Sequence, residues 1–414
     1  VIGSLRALLT DVAPLRISAD YRRLWFGLSV SQLGQQMTAV ALAIQVYAIT
    51  RSSFAVGVVG ICAFVPLVVF GLYGGSIADS MDRRRLALVA STGLWLLSIV
   101  LAAQALMGLR SVLLLYVVAG LQAACYAVNN PARAAIIPRL LPPDMLPAAN
   151  ALSTASFNLG FTVGPLVGGV VIGWRGLGAA YVVDCATFTA ALYALWRLPP
   201  IPPLGEVRRA GLESVLEGLR YLRTRPNVLM TFLVDLCAMV LAQPRALFPA
   251  VAGGFYGGGT RTVGLLAASP AIGSLVAVIF SGRLGRVRRQ GRAILVCVVL
   301  YGAAVAAFGL TRALWLGVLF LAVSGAADMV SSVYRNTILQ VATPDAMRGR
   351  LQGVFIVVVA GGPRLGDFTA GTVASISTEA FAIVSGGCAC MVAVGLLAAR
   401  YRGFARYDAL NPQP

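Results

Sequence analysis

The stretch FAVGVVGICAFVPLVVFGLYGGSIADSMDRRR, residues 54–85, decides how the rest of the chain is read. From Phe54 to Ala78 it carries no charged side chain, and it then closes on Asp79, Asp82 and three consecutive arginines, Arg83, Arg84 and Arg85. About twenty mainly apolar residues in a helix cross the hydrocarbon core of a bilayer, and arginines collect at the cytoplasmic ends of such spans. The stretch therefore predicts a membrane-spanning helix that runs into a short cytoplasmic loop.

The same alternation extends in both directions. Apolar runs lie near 24–49, 54–78, 86–108, 112–134, 150–174 and 179–197, and again near 228–251, 261–284, 292–311, 313–338, 351–376 and 379–399. That predicts an all-α membrane protein of twelve spans in two sets of six. Composition agrees, since 58% of the 414 residues are hydrophobic and 12% charged, whereas a soluble domain carries about a quarter charged. The 45 Gly and 20 Pro lie largely inside the apolar runs, where membrane helices tolerate them.

A formal charge of +18 would suggest nucleic-acid binding in a soluble domain, but its distribution excludes that. With no Lys and no His, all 33 basic residues are Arg, and most of them cluster in the short gaps between apolar runs. The amino-terminal tail, the loops after spans 2, 4, 6, 8 and 10, and the carboxy-terminal tail hold 26 of them. The opposite loops hold five, Arg51, Arg110, Arg175, Arg261 and Arg312. Both termini are thus expected in the cytoplasm. Arg245 and Arg364 remain, inside apolar runs.

The seven cysteines, Cys62, Cys125, Cys185, Cys237, Cys297, Cys388 and Cys390, all fall within predicted spans and read as small apolar residues. No disulfide, metal site or cofactor is expected. Val1 is not an initiator Met, and the first long apolar run has no small-residue cleavage site, so it reads as a retained helix and not as a signal peptide.

Expected domains are 1–197, an amino-terminal six-helix bundle; 198–227, a cytoplasmic linker; 228–399, a carboxy-terminal six-helix bundle; and 400–414, a cytoplasmic tail. The linker opens with Pro199, Pro200, Pro202 and Pro203, and continues as an amphipathic segment from Leu212 to Arg223, with Glu213, Glu217 and Arg220 on its polar side. Residues 133–152, RAAIIPRLLPPDMLPAANAL, echo residues 334–354, YRNTILQVATPDAMRGRLQGV, with Pro143-Asp144-Met145 opposite Pro344-Asp345-Ala346. A same-direction repeat half a chain apart fits two bundles related by an axis along the membrane normal.

Two motifs carry a family resemblance. Gly75-Ser76-Ile77-Ala78-Asp79 followed by Arg83-Arg84-Arg85 resembles the major facilitator signature G-x-L-A-D-R-x-G-R-[RK], with Asp82 where the family usually has Gly. In the fifth span, Gly160, Gly164, Pro165, Gly168 and Gly169 are similar to the G-x-x-x-G-P-x-x-G-G signature of the superfamily's antiporter branch, which implies export. Glycines at that spacing allow close helix approach, and Pro165 removes a backbone hydrogen bond. The segments YVVDCATF around Asp184, FLVDLCAMVLAQPRALFPAVA from Phe232 and ILQVATPDAMRGRLQGVF from Ile338 resemble the enterobactin-exporter group and macrolide-efflux proteins. That resemblance implies the major facilitator fold in a bacterial inner membrane, and proton-driven efflux of a siderophore or drug-like, multidrug-type cargo. Gly75, Asp79, Arg83 and Arg84 would then form a conformational gate.

An ionisable group inside a membrane span is by default a functional candidate. Such groups are Asp184, Asp235, Asp328 and Asp367, with Arg245 and Arg364 as charge partners. Arg364 and Asp367, three apart, share a helix face and can pair locally. Asp235 and Arg245 are ten residues apart, about 15 Å along an ideal helix, so Arg245 needs a carboxylate from another helix. Arg133 and Arg335 are expected to snorkel from near the cytoplasmic ends. Without His or Lys, carboxylates must carry any coupled proton. Polar stripes follow helical spacing at Gln32, Gln35 and Gln36 and at Tyr126, Asn129, Asn130 and Arg133; Gln32, Gln36 and Asn129 are the expected cavity-lining residues, although such stripes also bond neighbouring helices.

No Walker A sequence, redox motif or nucleophile arrangement is present, so neither ATP-driven pumping by this chain nor enzymatic chemistry is expected. Expected partners are a small-molecule cargo, protons and membrane lipids, with no nucleic acid and a monomer as the simplest state. Competing readings are a downhill channel, a lipid scramblase and an importer of the same superfamily.

Overall fold

The structure, a computed structural model, describes residues 12–202, 212–279, 287–343, 351, 354 and 356–409, and their side chains apart from 72–80, 212–215, 356 and 357. Among these residues there is no strand. Long helices follow in the order α1 (Ala19–Thr50), α2 (Ser53–Ser80), α3 (Arg83–Leu106), α4 (Val112–Leu140), α5 (Leu146–Arg175) and α6 (Leu177–Trp196). After a surface helix at Leu212–Thr224 come α7 (Pro226–Gly254, interrupted), α8 (Thr260–Ile279), α9 (Gln290–Leu310), α10 (Leu314–Ala342), α11 (Gly362–Ile376) and α12 (Glu379–Arg400). Ten of the twelve are long and apolar enough, as described, to cross a membrane. The other two are α1, which carries Gln32, Gln35 and Gln36, and the 15-residue α11, which carries Arg364 and Asp367.

Helix ends follow local chemistry. The side chains of Ser18, Ser52, Asp82, Ser111 and Thr378 accept from the amides of Tyr21, Ala55, Arg85, Leu114 and Phe381, each cap contributing about 1 kcal/mol. The α5–α6 turn needs Gly176, at φ 82°, where a side chain would be strained. In α7 the helix gives way to a π turn at Cys237–Leu241 and restarts at Arg245. Pro244 accounts for the break, since it lacks the N–H that would continue the ladder.

Helix packing repeats between the halves. In the first, α1 packs on α5 and α6, α2 on α4, and α3 on α4 and α6; in the second, α7 packs on α11 and α12, α8 on α10, and α9 on α10 and α12. Adding six to each helix number maps the first set onto the second, as the repeated loop sequence requires. Two long contacts join the halves, α2 with α11 and α5 with α8. Both depend on glycine: a Cβ on Gly57 would lie 2.6 Å from the Asp367 carbonyl oxygen, and one on Gly169 would lie 2.7 Å from that of Thr260.

The outer surface is that of a membrane protein. Ile279, Ile376 and Val89 are 78%, 82% and 70% exposed, more apolar surface than a soluble monomer leaves in water. Near helix ends, Trp174 and Trp196 point outward with Arg175 and Arg197 over their rings, as in the aromatic belts of membrane interfaces. All seven cysteines are free.

Candidate functional site

The inter-half contacts concentrate at the end of the bundle that bears the Arg-poor loops. There Ser53 Oγ donates to Glu379 Oε1 at 3.1 Å, and Thr260 Oγ1 donates to the Gly169 carbonyl at 3.0 Å. A cleft of about 540 Å³ between Tyr47, Arg51, Pro249, Phe255 and Glu379 opens on this same end. It lies away from the interior charges. On the Arg-rich side of these contacts, Phe157 and Tyr126 are exposed at 46% and 37%.

Two charge clusters occupy the second half. In one, Arg335 of α10 pairs with Asp235 of α7, and its other terminal nitrogen lies 3.1 Å from Asp328, one pair of turns back on the same helix. Asp235 is buried, and its second oxygen has no hydrogen-bond donor. Arg335 therefore does not snorkel; α10 continues to Ala342, which places Arg335 within the span. In the other cluster, Asp367 of α11 accepts from the Ala246 amide at 3.1 Å, at the restart of α7. Among the described residues no ion pair joins Asp367 to Arg364 or to Arg245: the break in α7 brings the Ala246 amide to Asp367, and Arg364 is left exposed.

Among the described residues the first half holds one buried carboxylate, Asp184 of α6. One oxygen accepts from Thr38 Oγ1 at 2.8 Å and Ser98 Oγ at 2.7 Å, tying α6 to α1 and α3, while the other has no donor. No cation pairs with it among the described residues. Beside it, Gln45 and Gln104 exchange amide hydrogen bonds at 3.0 Å, and Tyr181 donates to Gln45 at 2.7 Å.

The polar stripes serve helix contacts in this conformation. Gln36 is buried, and Gln32 and Gln36 lie over Gly160 and Gly164, where added Cβ atoms would come within 2.6 and 2.5 Å of them. Gly168 meets Met37 of the same helix, and Pro165 presents its carbonyl to Gly264 of α8. Asn129 is 2% exposed and donates to Ser91 at 3.2 Å. Arg133 does not snorkel either; it donates to the same Ser91 hydroxyl at 3.0 Å.

In the loop between α2 and α3, the side chains of Gly75 and Asp79 lie outside the described residues. Asp82, the departure from the family pattern, caps α3 and also accepts from the Ile201 amide at 2.9 Å. Arg83 donates to the Ala135 carbonyl of α4, and Arg84 to the Leu195 and Trp196 carbonyls of α6. The basic loop thus ties three helices of one half together. Sequence reasoning missed Asp82 as a tether; its signal was the spacing of an N-cap acid just before a helical run.

The chain matches the family model for transmembrane secretion effectors over residues 9–412. It is 28% identical over 400 residues to the enterobactin exporter of Citrobacter koseri, covering 94% of this chain and 95% of that one. With the enterobactin exporter of Escherichia coli O81 it shares 27% over 393 residues, covering 94% and 93%. Among solved structures, the POT family transporter PepTSo aligns with a TM-score of 0.75 at 13% identity over 94% of this chain and 99% of that one. A bacterial homologue of the lysosomal transporter Spinster, inward-facing and occupied, aligns with a TM-score of 0.72 at 16% identity over 94% and 97%. This chain is a multi-pass inner-membrane transport protein of the major facilitator superfamily, and within it belongs to the transmembrane secretion effector family.

Proposed function

We propose that the protein is a secondary active exporter that moves a siderophore or drug-like small molecule out of the cytoplasm in exchange for protons, by alternating access of its two halves. The observation that carries this reading is the arrangement of two like-packed halves that meet near the Arg-poor end through α2–α11 and α5–α8, with carboxylates buried inside the spans. If the Arg-rich loops are cytoplasmic, as their charge expects, the contacts near the Arg-poor end seal the side opposite the cytoplasm. The names of the relatives support the direction and the cargo class, and enterobactin is the first cargo to try.

The interior carboxylates supply the proton sites. Two of them, Asp235 and Asp328, share the single cation Arg335, so one negative charge stays uncompensated unless a proton binds. Asp184, with two hydroxyl donors and no cation, is a second site, and Asp367, held by the Ala246 amide beside Arg245, a third. Loading a proton changes which carboxylate Arg335 favours. Because Asp235 and Arg335 lie on different helices, that exchange alters how α7 packs on α10. The halves then rock about the α2–α11 and α5–α8 contacts, with the loop that holds Asp79, Arg83 and Arg84 as the gate.

Comparing the compounds retained by cells with and without this protein tests the reading. Enterobactin or another siderophore should be retained only in its absence. Equal retention of every compound would remove the export assignment, and retention only in its presence would make the protein an importer.

A further inference from the structure

Through Ala409 the chain beyond α12 does not leave the bundle. After Arg400 it turns through the short helical segment Phe404–Arg406, which packs on the start of α9 with Phe404 and Tyr407 buried. Gly291 of α9 leaves no room for a Cβ against the Phe404 carbonyl. Arg288 holds both carboxylate oxygens of Asp408 at 2.7–3.0 Å, and the Ala409 amide donates to the Arg288 carbonyl at 3.0 Å. An exposed ion pair contributes little by itself. The two buried rings hold the segment, and the pair and the amide fix its register.

Held there, the segment walls a cleft of about 530 Å³ against the start of α7, lined by Asn227, Arg400, Tyr401, Arg402, Arg406 and Tyr407. That volume is in the range of small-ligand pockets. Arg402 and Arg406 are exposed, and neither they nor Arg400 make a side-chain hydrogen bond or ion pair among the described residues. The carboxylate on the lining, Asp408, is already taken by Arg288. The cleft therefore presents guanidinium groups that lack an anionic partner. Its depth follows from the surface helix beside it. Leu212–Thr224 is separated by Arg225 alone from Pro226, which also lines the cleft. This helix exposes Leu216 and Leu219 beside Arg220, and a helix with such a face lies in the membrane interface. The cleft is thus at headgroup level, where the phosphodiesters of lipids supply anions. Guanidinium groups match phosphate oxygens, and a surplus of positive charge disfavours a headgroup that carries its own cation.

We propose that this cleft binds the phosphate of an anionic phospholipid, with Arg402 and Arg406 as its counter-charges. The site is built from one half alone and does not rest on the export reading. To test it, the full chain is placed in phosphatidylcholine nanodiscs containing a little photoreactive phosphatidylglycerol or the matching photoreactive phosphatidylcholine, and cross-linked peptides are read by mass spectrometry. Phosphatidylglycerol should label residues 226–229 and 400–408 about tenfold more than phosphatidylcholine does, the scale expected for two arginines near an anionic headgroup. Labelling of the surface helix serves as the internal reference. Arg402→Gln combined with Arg406→Gln should remove the preference, and Arg402→Lys with Arg406→Lys should keep most of it, which separates lost charge from lost folding. Unlabelled phosphatidylglycerol should compete, whereas excess inorganic phosphate should not. Equal labelling by the two lipids, or an unchanged preference in the Gln pair, overturns the site. Displacement by inorganic phosphate as complete as by phosphatidylglycerol makes it a site for free phosphate and overturns the lipid assignment.

Discussion

Replacing Asp235 by Asn tests the coupling scheme at its most loaded point. The side chains of Asp235 and Arg335 are 5% and 11% exposed, and deleting one partner of such a pair costs about 3–5 kcal/mol when the other is left alone. Here Arg335 keeps Asp328 at 3.1 Å, and Asn keeps a carbonyl acceptor. The loss should fall to about 1–3 kcal/mol, the worth of a hydrogen bond to a charged group. The larger effect is on charge. With both carboxylates ionised the triad carries one net negative charge, and with one protonated it carries none. Asn holds it at none, a permanent copy of the proton-loaded state. In proteoliposomes with a pH difference of about one unit, a one-for-one exchanger can concentrate cargo about tenfold. The wild-type chain should approach that ratio, whereas Asp235→Asn should only equilibrate its cargo while still exchanging labelled for unlabelled molecules. A variant that accumulates tenfold with unchanged pH dependence refutes the assignment of the triad to coupling.

Gly169→Val should hold the Arg-poor end apart, because its Cβ would meet Thr260 and Gly264 of α8 at 2.7 and 3.1 Å, an overpacking of about 1–3 kcal/mol; longer spin-label distances across the Arg51 and Gly253 loops would register it, and unchanged distances would count against the seal. Asp184→Leu should lower the melting temperature more than Asp184→Asn, since Leu strands the Thr38 and Ser98 hydroxyls at about 1–3 kcal/mol each, and equal melting would deny the carboxylate its role in joining α1, α3 and α6. Reporter fusions at Pro414 and in the Gly253–Gly259 loop should report opposite compartments; the same compartment for both would overturn the charge-based orientation.

Much of the architecture was legible because a membrane imposes length and polarity on each helix separately. The spans and the doubled set of six follow from runs of about twenty apolar residues, and the repeated loop predicts the repeated packing. Partner choice was less legible, because it depends on helices distant in sequence. Asp367 was recognised as exceptional, yet spacing suggested a pair with Arg364; only the break at Pro244, which redirects α7, brings the Ala246 amide to it instead. Arg335 was set aside as terminal because the end of α10 was placed at 338 and not at Ala342. Gln36 and Asn129 show the same ambiguity, since helical spacing identifies a polar face without saying whether it meets water or another helix. Here Gly164 and Ser91 stand opposite them.

Uptake into inverted membrane vesicles tests the central claim most directly. Inversion turns the Arg-rich end toward the medium if the termini are cytoplasmic, so an exporter loads cargo into the vesicle. Vesicles acidified inside by respiration should accumulate the cargo identified in the cell comparison above its outside concentration, and a protonophore should release the excess. Accumulation that survives the protonophore, or entry that stops at equal concentrations in energised vesicles, would contradict proton-driven export.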